Sequence, residues 1–380
     1  MNYRRLGKTG QVVSEIGLGG EWLERHTAEE CVEIIKHCEK CGINILDCWM
    51  SEPNVRSKIG QGIKGSRDKW YIQGHIGSTW QDGQYIRSRD IDKTKEAFRD
   101  MLTRFGTDYI DLGMIHYVDA EDDWNNIING EFLKYVMELK NNGSIRHIGL
   151  STHNPAIAQL AAKSGFIEMI MFSINPAFDM FPGAEDVEVY FGESYDSAVD
   201  GITPERMELY RLCEENDVGI TVMKGYAGGR LLKAEASPFG VALSPVQCLH
   251  YCLTRPMVAS VMVGFENTKQ IEEAAYYSSA SAEELDYASI LASAPSHAYH
   301  GQCTYCGHCK PCPMNIDIAM VNKLYDLATM QPEVPSSIKD HYRLLEPTAS
   351  ACIACRDCES RCPFGVKISE RMKLADELFV

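Results

Sequence analysis

Short apolar runs alternate with amphipathic stretches along the first 280 residues. Ile16-Gly17-Leu18-Gly19 predicts a strand, and Thr27-Ala28-Glu29-Glu30 is a capping box opening a helix that ends at Gly42. The same alternation then repeats. Apolar runs predict strands at 43–47, 70–73, 109–116, 147–151, 169–173, 219–223 and 258–262. Between them, apolar residues at helical spacing predict helices at 54–63, 92–105, 132–141, 156–164, 204–216, 245–254 and 268–278. The strands are apolar on both faces, as in a buried parallel sheet. About eight βα units in roughly 280 residues favour a closed (β/α)8 barrel, the TIM barrel, over an open doubly wound sheet.

Before the barrel, residues 3–14 read as a small hairpin. Its Gly7-Lys8-Thr9 invites comparison with a phosphate loop, but Asn2 stands where that loop needs glycine, so the tripeptide reads as a turn. Ser281-Ala282-Glu283-Glu284 predicts one more helix start. It divides the chain into a barrel, 1–280, and a linker helix with a small α-helical, ferredoxin-like domain, 281–380. The stretch 175–203 is long, acidic and aromatic, and follows a strand, where barrels keep substrate loops.

Charge narrows the function. A formal net charge of −16 argues against nucleic acid and anionic membranes as partners. Met1 to Arg5 is polar with no apolar run behind it, and no window is long enough to span a bilayer, so the expected location is the cytoplasm. Fifteen cysteines in such a chain read as reduced thiols and cluster ligands.

Eight of them fall in two runs. Cys352-Ile353-Ala354-Cys355-Arg356-Asp357-Cys358-Glu359-Ser360-Arg361-Cys362-Pro363 has the C-x2-C-x2-C-x3-C-P spacing of two-cluster ferredoxins. Cys303-Thr304-Tyr305-Cys306-Gly307-His308-Cys309-Lys310-Pro311-Cys312-Pro313 differs by one residue in its last gap. Three thiolates on a tight loop reach three corners of one cube, and the fourth crosses to the other. One [4Fe-4S] cluster is therefore assigned to Cys303, Cys306, Cys309 and Cys362, the second to Cys352, Cys355, Cys358 and Cys312. Zinc is the alternative occupant, since it too takes C-x2-C pairs. Oxygen-sensitive clusters point to an anaerobic or low-oxygen setting.

Polar residues at predicted strand ends are the active-site candidates of a barrel. They are Asp47, Glu52 just beyond it, His75, His116, Ser151 and Lys224. Trp22, Trp49 and Trp80 follow strands and are candidates for a substrate pocket, as His153 is for the mouth. Cys38-Glu39-Lys40-Cys41 sits at a helix end and reads as bland; Cys248 and Cys252 read as core.

Leu46-Asp47, Ile59-Gly60, Lys69-Trp70-Tyr71-Ile72, Asp111-Leu112-Gly113-Met114-Ile115-His116 and Ile148-Gly149-Leu150-Ser151 together resemble the aldo-keto reductases. Met223-Lys224-Gly225-Tyr226-Ala227-Gly228-Gly229-Arg230-Leu231 resembles their iron–sulfur branch, which has a C-terminal ferredoxin domain. The resemblance implies a (β/α)8 barrel, a nicotinamide cofactor across its mouth and hydride transfer to a carbonyl. It also implies an Asp-Tyr-Lys-His tetrad. Asp47 and His116 match, but Glu52 stands at the tyrosine position and His75 at the lysine position. The reaction centre expected here is Asp47, Glu52, His75 and His116. Ser151 stands where the family holds the carboxamide, with Thr152 replacing the usual asparagine. Gly264 and Lys269, in the turn after the last strand, are the phosphate candidates, while Glu266 there weighs against a 2′-phosphate.

These parts pose a puzzle. A nicotinamide gives up two electrons as hydride and a cluster passes one at a time, so direct exchange calls for a mediator such as a flavin. The leading expectation is an oxidoreductase acting on a small carbonyl or hydroxyl substrate, with electrons relayed by two clusters from an external ferredoxin or flavodoxin. The competing readings are an NAD(P)H-dependent carbonyl reductase with structural clusters, a non-catalytic electron-transfer subunit, and redox-neutral acid–base chemistry.

Overall fold

The computed structural model describes residues 1–180, 202–294, 299, 301–330 and 333–379. Two short strands, β1 (Tyr3–Arg5) and β2 (Val12–Ser14), pair antiparallel. Eight parallel strands then close a barrel. In chain order they are β3 (Ile16–Gly19), β4 (Ile45–Cys48), β5 (Tyr71–Ile76), β8 (Ile110–Ile115), β9 (Ile145–Thr152), β10 (Met169–Ser173), β11 (Gly219–Met223) and β12 (Val258–Val263). β12 pairs back onto β3, which leaves no open edge. The (β/α)8 barrel expected from the alternation is present.

The opening hairpin closes the bottom of this barrel. Leu6 and Val13 join Ile45, Leu112, Met114, Met169, Met171, Ala259 and Met262 in one buried cluster. Gly7 has φ +47°, and a Cβ there would lie 2.2 Å from the Gly219 nitrogen, so only glycine lets the turn reach β11.

Two elements depart from expectation on the way round. Between β5 and the next helix the chain makes a second hairpin, β6 (Ser78–Gln81) and β7 (Gln84–Arg87). Asp82 and Gly83 turn it with φ of 52° and 77°, the pair of positive angles a two-residue turn needs. An extra helix, Glu121–Asn129, also precedes Glu131–Asn141.

Beyond the barrel, the helix predicted at 281 is a correction. The capping-box hydrogen bonds between Ser281 and Glu284 form, but they close a turn, and the helix is Ala288–Ala292. The described residues after 280 hold helices only, among them Ile318–Ala328, Ser336–Arg343 and Ile368–Phe379. They dock on the barrel's flank, where the Thr304 carbonyl accepts from Arg255 and, at 2.7 Å, from the Tyr287 hydroxyl. His341 pairs with Glu214.

Cys38, Cys248 and Cys252 are core residues whose thiols burial pushes up. No helix among the described residues is long and apolar enough to cross a membrane. Most of the 175–203 stretch lies outside the described residues.

Candidate active site

Strand register brings the central residues together. Asp47 sits opposite Gln73 across β4 and β5, and His75, two positions on, faces the same way. His116 follows the last residue of β8, and its N–H bonds the Ile76 carbonyl at 3.0 Å. All three ends are at the C-terminal mouth.

Their side chains form a continuous chain. Asp47 Oδ1 accepts from Gln73 Nε2 at 2.8 Å and lies 2.9 Å from His75 Nε2. His75 Nδ1 is 2.8 Å from His116 Nδ1. His116 Nε2 is 2.7 Å from the hydroxyl of Tyr85, on the second hairpin. Asp47, His75 and His116 are buried at 2–5% exposure, whereas Tyr85 is half-buried. Burial, reinforced by His75, Arg89 and Arg87, holds the His116 imidazole well below its usual titration range, so it is neutral. Burial also pushes the Tyr85 hydroxyl up to about 12 and keeps it protonated.

Neighbouring groups fix these rings. The Trp49 indole stacks on His116 with centroids 5.9 Å apart and meets Tyr85 edge-on at 5.2 Å. The Ser78 hydroxyl donates to the Trp49 carbonyl at 2.6 Å, and the Ser51 hydroxyl to that of Thr79 at 2.8 Å. The hairpin is thereby tied to the loop after β4. Arg89 donates to the His116 carbonyl at 2.8 Å and is itself anchored by Asp123.

The structure does not bring Glu52 to this chain. Its carboxylate caps the helix Pro53–Ile63, accepting from the Val55 N–H at 2.7 Å and the Asn54 amide at 2.9 Å. Ser151 is buried near the mouth and its hydroxyl accepts from the Tyr117 N–H at 2.8 Å. Thr152 donates to Asp119, which also holds the His153 ring at 2.9 Å. Lys224 follows β11 with φ 62°, and its carbonyl accepts from Asn175. At Gly264 a Cβ would fall 1.8 Å from the Trp22 ring, so this glycine makes room for an indole. Lys269 is exposed and faces Glu273 at 3.5 Å.

The two cysteine runs meet. Cys312 of the first lines one recess with Cys352, Cys355 and Cys358 of the second, beside Met314, Ile316, Ile318 and Met372. Burial pushes the Cys309 thiol up to about 12, with Cys306, Cys358 and Cys362 close enough to add to the shift. Among the described residues, no three His, Cys, Asp or Glu side chains are grouped as a single-ion site requires.

Sequence reasoning missed Gln73 and Tyr85. The signal for Tyr85 was Asp82-Gly83 between Thr79-Trp80-Gln81 and Gln84-Tyr85-Ile86, a two-residue hairpin pattern.

The barrel carries a buried polar chain at its C-terminal mouth, where such folds keep their reactive groups. The profile of the Aldo/keto reductase family matches residues 15–244, and the chain belongs to that family. It is 29% identical over 286 residues to the uncharacterized oxidoreductase YqkF of Bacillus subtilis, covering 72% of this chain and 90% of that protein. It is 27% identical over 164 residues to the NADH-specific methylglyoxal reductase of Escherichia coli, covering 38% of this chain and 50% of that protein. In fold it matches an aldo-keto reductase of Bacillus halodurans in its holo form, with TM-score 0.60 at 24% identity, over 75% of this chain and 94% of that one. The chain is an enzyme of the oxidoreductase class.

Proposed function

We propose that this chain is an iron–sulfur aldo-keto reductase that interconverts a small carbonyl and its alcohol at the barrel mouth. The observation behind this reading is the unbroken hydrogen-bond chain from Asp47 through His75 to His116. It sits where the barrel places its reactive groups. By the resemblance all three stand at the family's catalytic positions, Asp47 and His116 with the family's residue types and His75 in place of its lysine.

Each cofactor can be weighed against its residues. A nicotinamide, when bound, supplies hydride to the carbonyl carbon. The carboxamide end fits Ser151, whose hydroxyl accepts from Tyr117 N–H and has no acceptor for its own hydrogen among the described residues. Gly264 and Lys269 fit the phosphates less well, given Trp22 over the one and Glu273 beside the other. NAD is favoured over NADP, because Lys269 is the one cation in the 263–270 turn and Glu266 opposes it.

Thiolates are the ligands of a [4Fe-4S] cluster, and such clusters pass single electrons. Cys312, Cys352, Cys355 and Cys358, which line one recess, are the proposed thiolate ligands of one cluster. Cys303, Cys306, Cys309 and Cys362 would hold the other. An external ferredoxin or flavodoxin remains the proposed one-electron partner, with a flavin as the proposed mediator.

The test is an anaerobic visible spectrum during titration with NADH and then NADPH, alongside iron, sulfide and zinc analysis. Bleaching of a broad cluster absorbance by NADH supports this reading. Bleaching by dithionite alone leaves the clusters to an external donor or to structure. Zinc in place of iron and sulfide would overturn the cluster assignment.

A further inference from the structure

The chain of hydrogen bonds does not end at His116. We propose that Tyr85 is the acid–base residue of this enzyme, delivering a proton to the substrate oxygen at the outer end of a four-membered relay, Tyr85–His116–His75–Asp47. This rests on the reductase reading above and deepens it, since the tyrosine comes from the hairpin after β5 and not from the loop after β4.

Tyr85 Oη lies 2.7 Å from His116 Nε2 and covers the end of His116 that would otherwise face the mouth. Of the four residues it alone is not buried, which makes it the member of the relay that a substrate can reach. Trp49 packs against both rings and holds the contact.

Hydrogen-bond valence then gives the relay two states. In the first, the Asp47 carboxylate accepts from His75 Nε2–H, His75 Nδ1 accepts from His116 Nδ1–H, and His116 Nε2 accepts from the Tyr85 hydroxyl. Here Tyr85 has no hydrogen left for a substrate. The second state holds one more proton. His75 carries a proton on each nitrogen, donating to Asp47 and to His116 Nδ1. His116 then carries its proton on Nε2 and donates to Tyr85 Oη, which frees the tyrosine hydrogen for a substrate oxygen.

One turnover converts the second state into the first. The Tyr85 O–H bond breaks as the bond from that proton to the carbonyl oxygen forms. Tyr85 takes the proton from His116 Nε2, and His116 takes one from His75 Nδ1. A nicotinamide, when bound, would supply the hydride that completes the neutral alcohol, and the relay is left one proton poorer. Alcohol oxidation runs the same steps backwards.

The surroundings support these roles. Burial, with His75, Arg89, Arg87 and His153 around it, keeps His116 neutral, so it passes a proton and does not store one. The stored proton sits on His75, beside the Asp47 carboxylate. Arg87, of β7, and Arg89 only partly offset the burial that holds the Tyr85 hydroxyl protonated, so the tyrosine releases its proton only as His116 supplies another.

The test uses the full chain, purified anaerobically, with NADH and methylglyoxal as the probe carbonyl. Tyr85→Phe is expected to lower kcat by about a hundredfold or more, with KM for the probe within roughly threefold, the pattern of a lost proton donor. Tyr85→Phe combined with His75→Gln should be no slower than the slower single variant, because the residues act as one unit. Unchanged kcat in Tyr85→Phe, or losses that multiply, would overturn the relay. A second readout needs no turnover. Ring-15N-histidine NMR should show the His75 nitrogens shifting in Tyr85→Phe, although the two side chains do not touch; unmoved resonances would overturn the relay. Absence of NADH binding to the wild type, read by tryptophan fluorescence, would overturn the reductase reading, and the NMR result decides the relay in that case too.

Discussion

His75 and His116 face each other with Nδ1 atoms 2.8 Å apart across the seam between β5 and β8. One ring must donate and the other accept. While both rings are neutral, Asp47, 2.9 Å from the far nitrogen of His75, makes His75 the acceptor; one added proton reverses the direction.

Asp47→Asn is the direct test of that control. An amide at this site can donate to His75 Nε2 and reverse the tautomer, and it no longer stabilises an imidazolium. We expect kcat to fall by about 10²- to 10⁴-fold, the range for general acid–base groups. The thermal midpoint should change by only a few degrees, since the shape is kept. Steady-state kinetics with the probe carbonyl, beside a melting curve, separate the two effects.

Acid should destabilise the fold partly through His250. Burial, with Arg255, Arg4 and His308 adding, lowers this imidazole to about 4, against a small opposing effect of Asp286. The unfolded chain therefore takes up the proton first as pH falls below about 6.5, and stability drops between there and about 4. The full loss is roughly 3 kcal/mol at one pKa unit per 1.36 kcal/mol. Urea unfolding at pH 7.5 and pH 5 should show a smaller pH effect in His250→Gln than in the wild type.

The cysteine runs make a separable prediction. Cys355→Ala should remove about half of the bound iron and sulfide if it serves one of two clusters. Cys38→Ala should leave iron unchanged, because that thiol is buried in the barrel helix Ala28–Lys40. Iron analysis after anaerobic purification decides both.

Gly7→Ala tests the barrel floor. The added methyl collides with the Gly219 backbone at a positive φ. Overpacking and left-handed strain together should cost about 2–4 kcal/mol, read as a lower urea midpoint. The mouth is at the other end, so kcat per folded molecule should hold.

Much of this protein was legible in its sequence because the rules involved are local. A strand's period of two residues puts Asp47, Gln73 and His75 on shared faces, and strand ends in a barrel point at one mouth. The capping box at Thr27 formed with both of its hydrogen bonds. The one at Ser281 also formed both, yet closed only a turn, because two hydrogen bonds do not supply the packed face a helix needs.

Spacing alone determined the eight-stranded alternation and the two cysteine runs. Only the tertiary structure decided which side chains touch. Glu52 follows Asp47 by five residues, yet its carboxylate turns to cap a helix, where backbone N–H groups stand ready. Tyr85 lies thirty-one residues before His116, yet its hydroxyl meets that ring. The physical reason is that strand direction is a local property, whereas contact across the mouth depends on how a hairpin folds back and what it packs against.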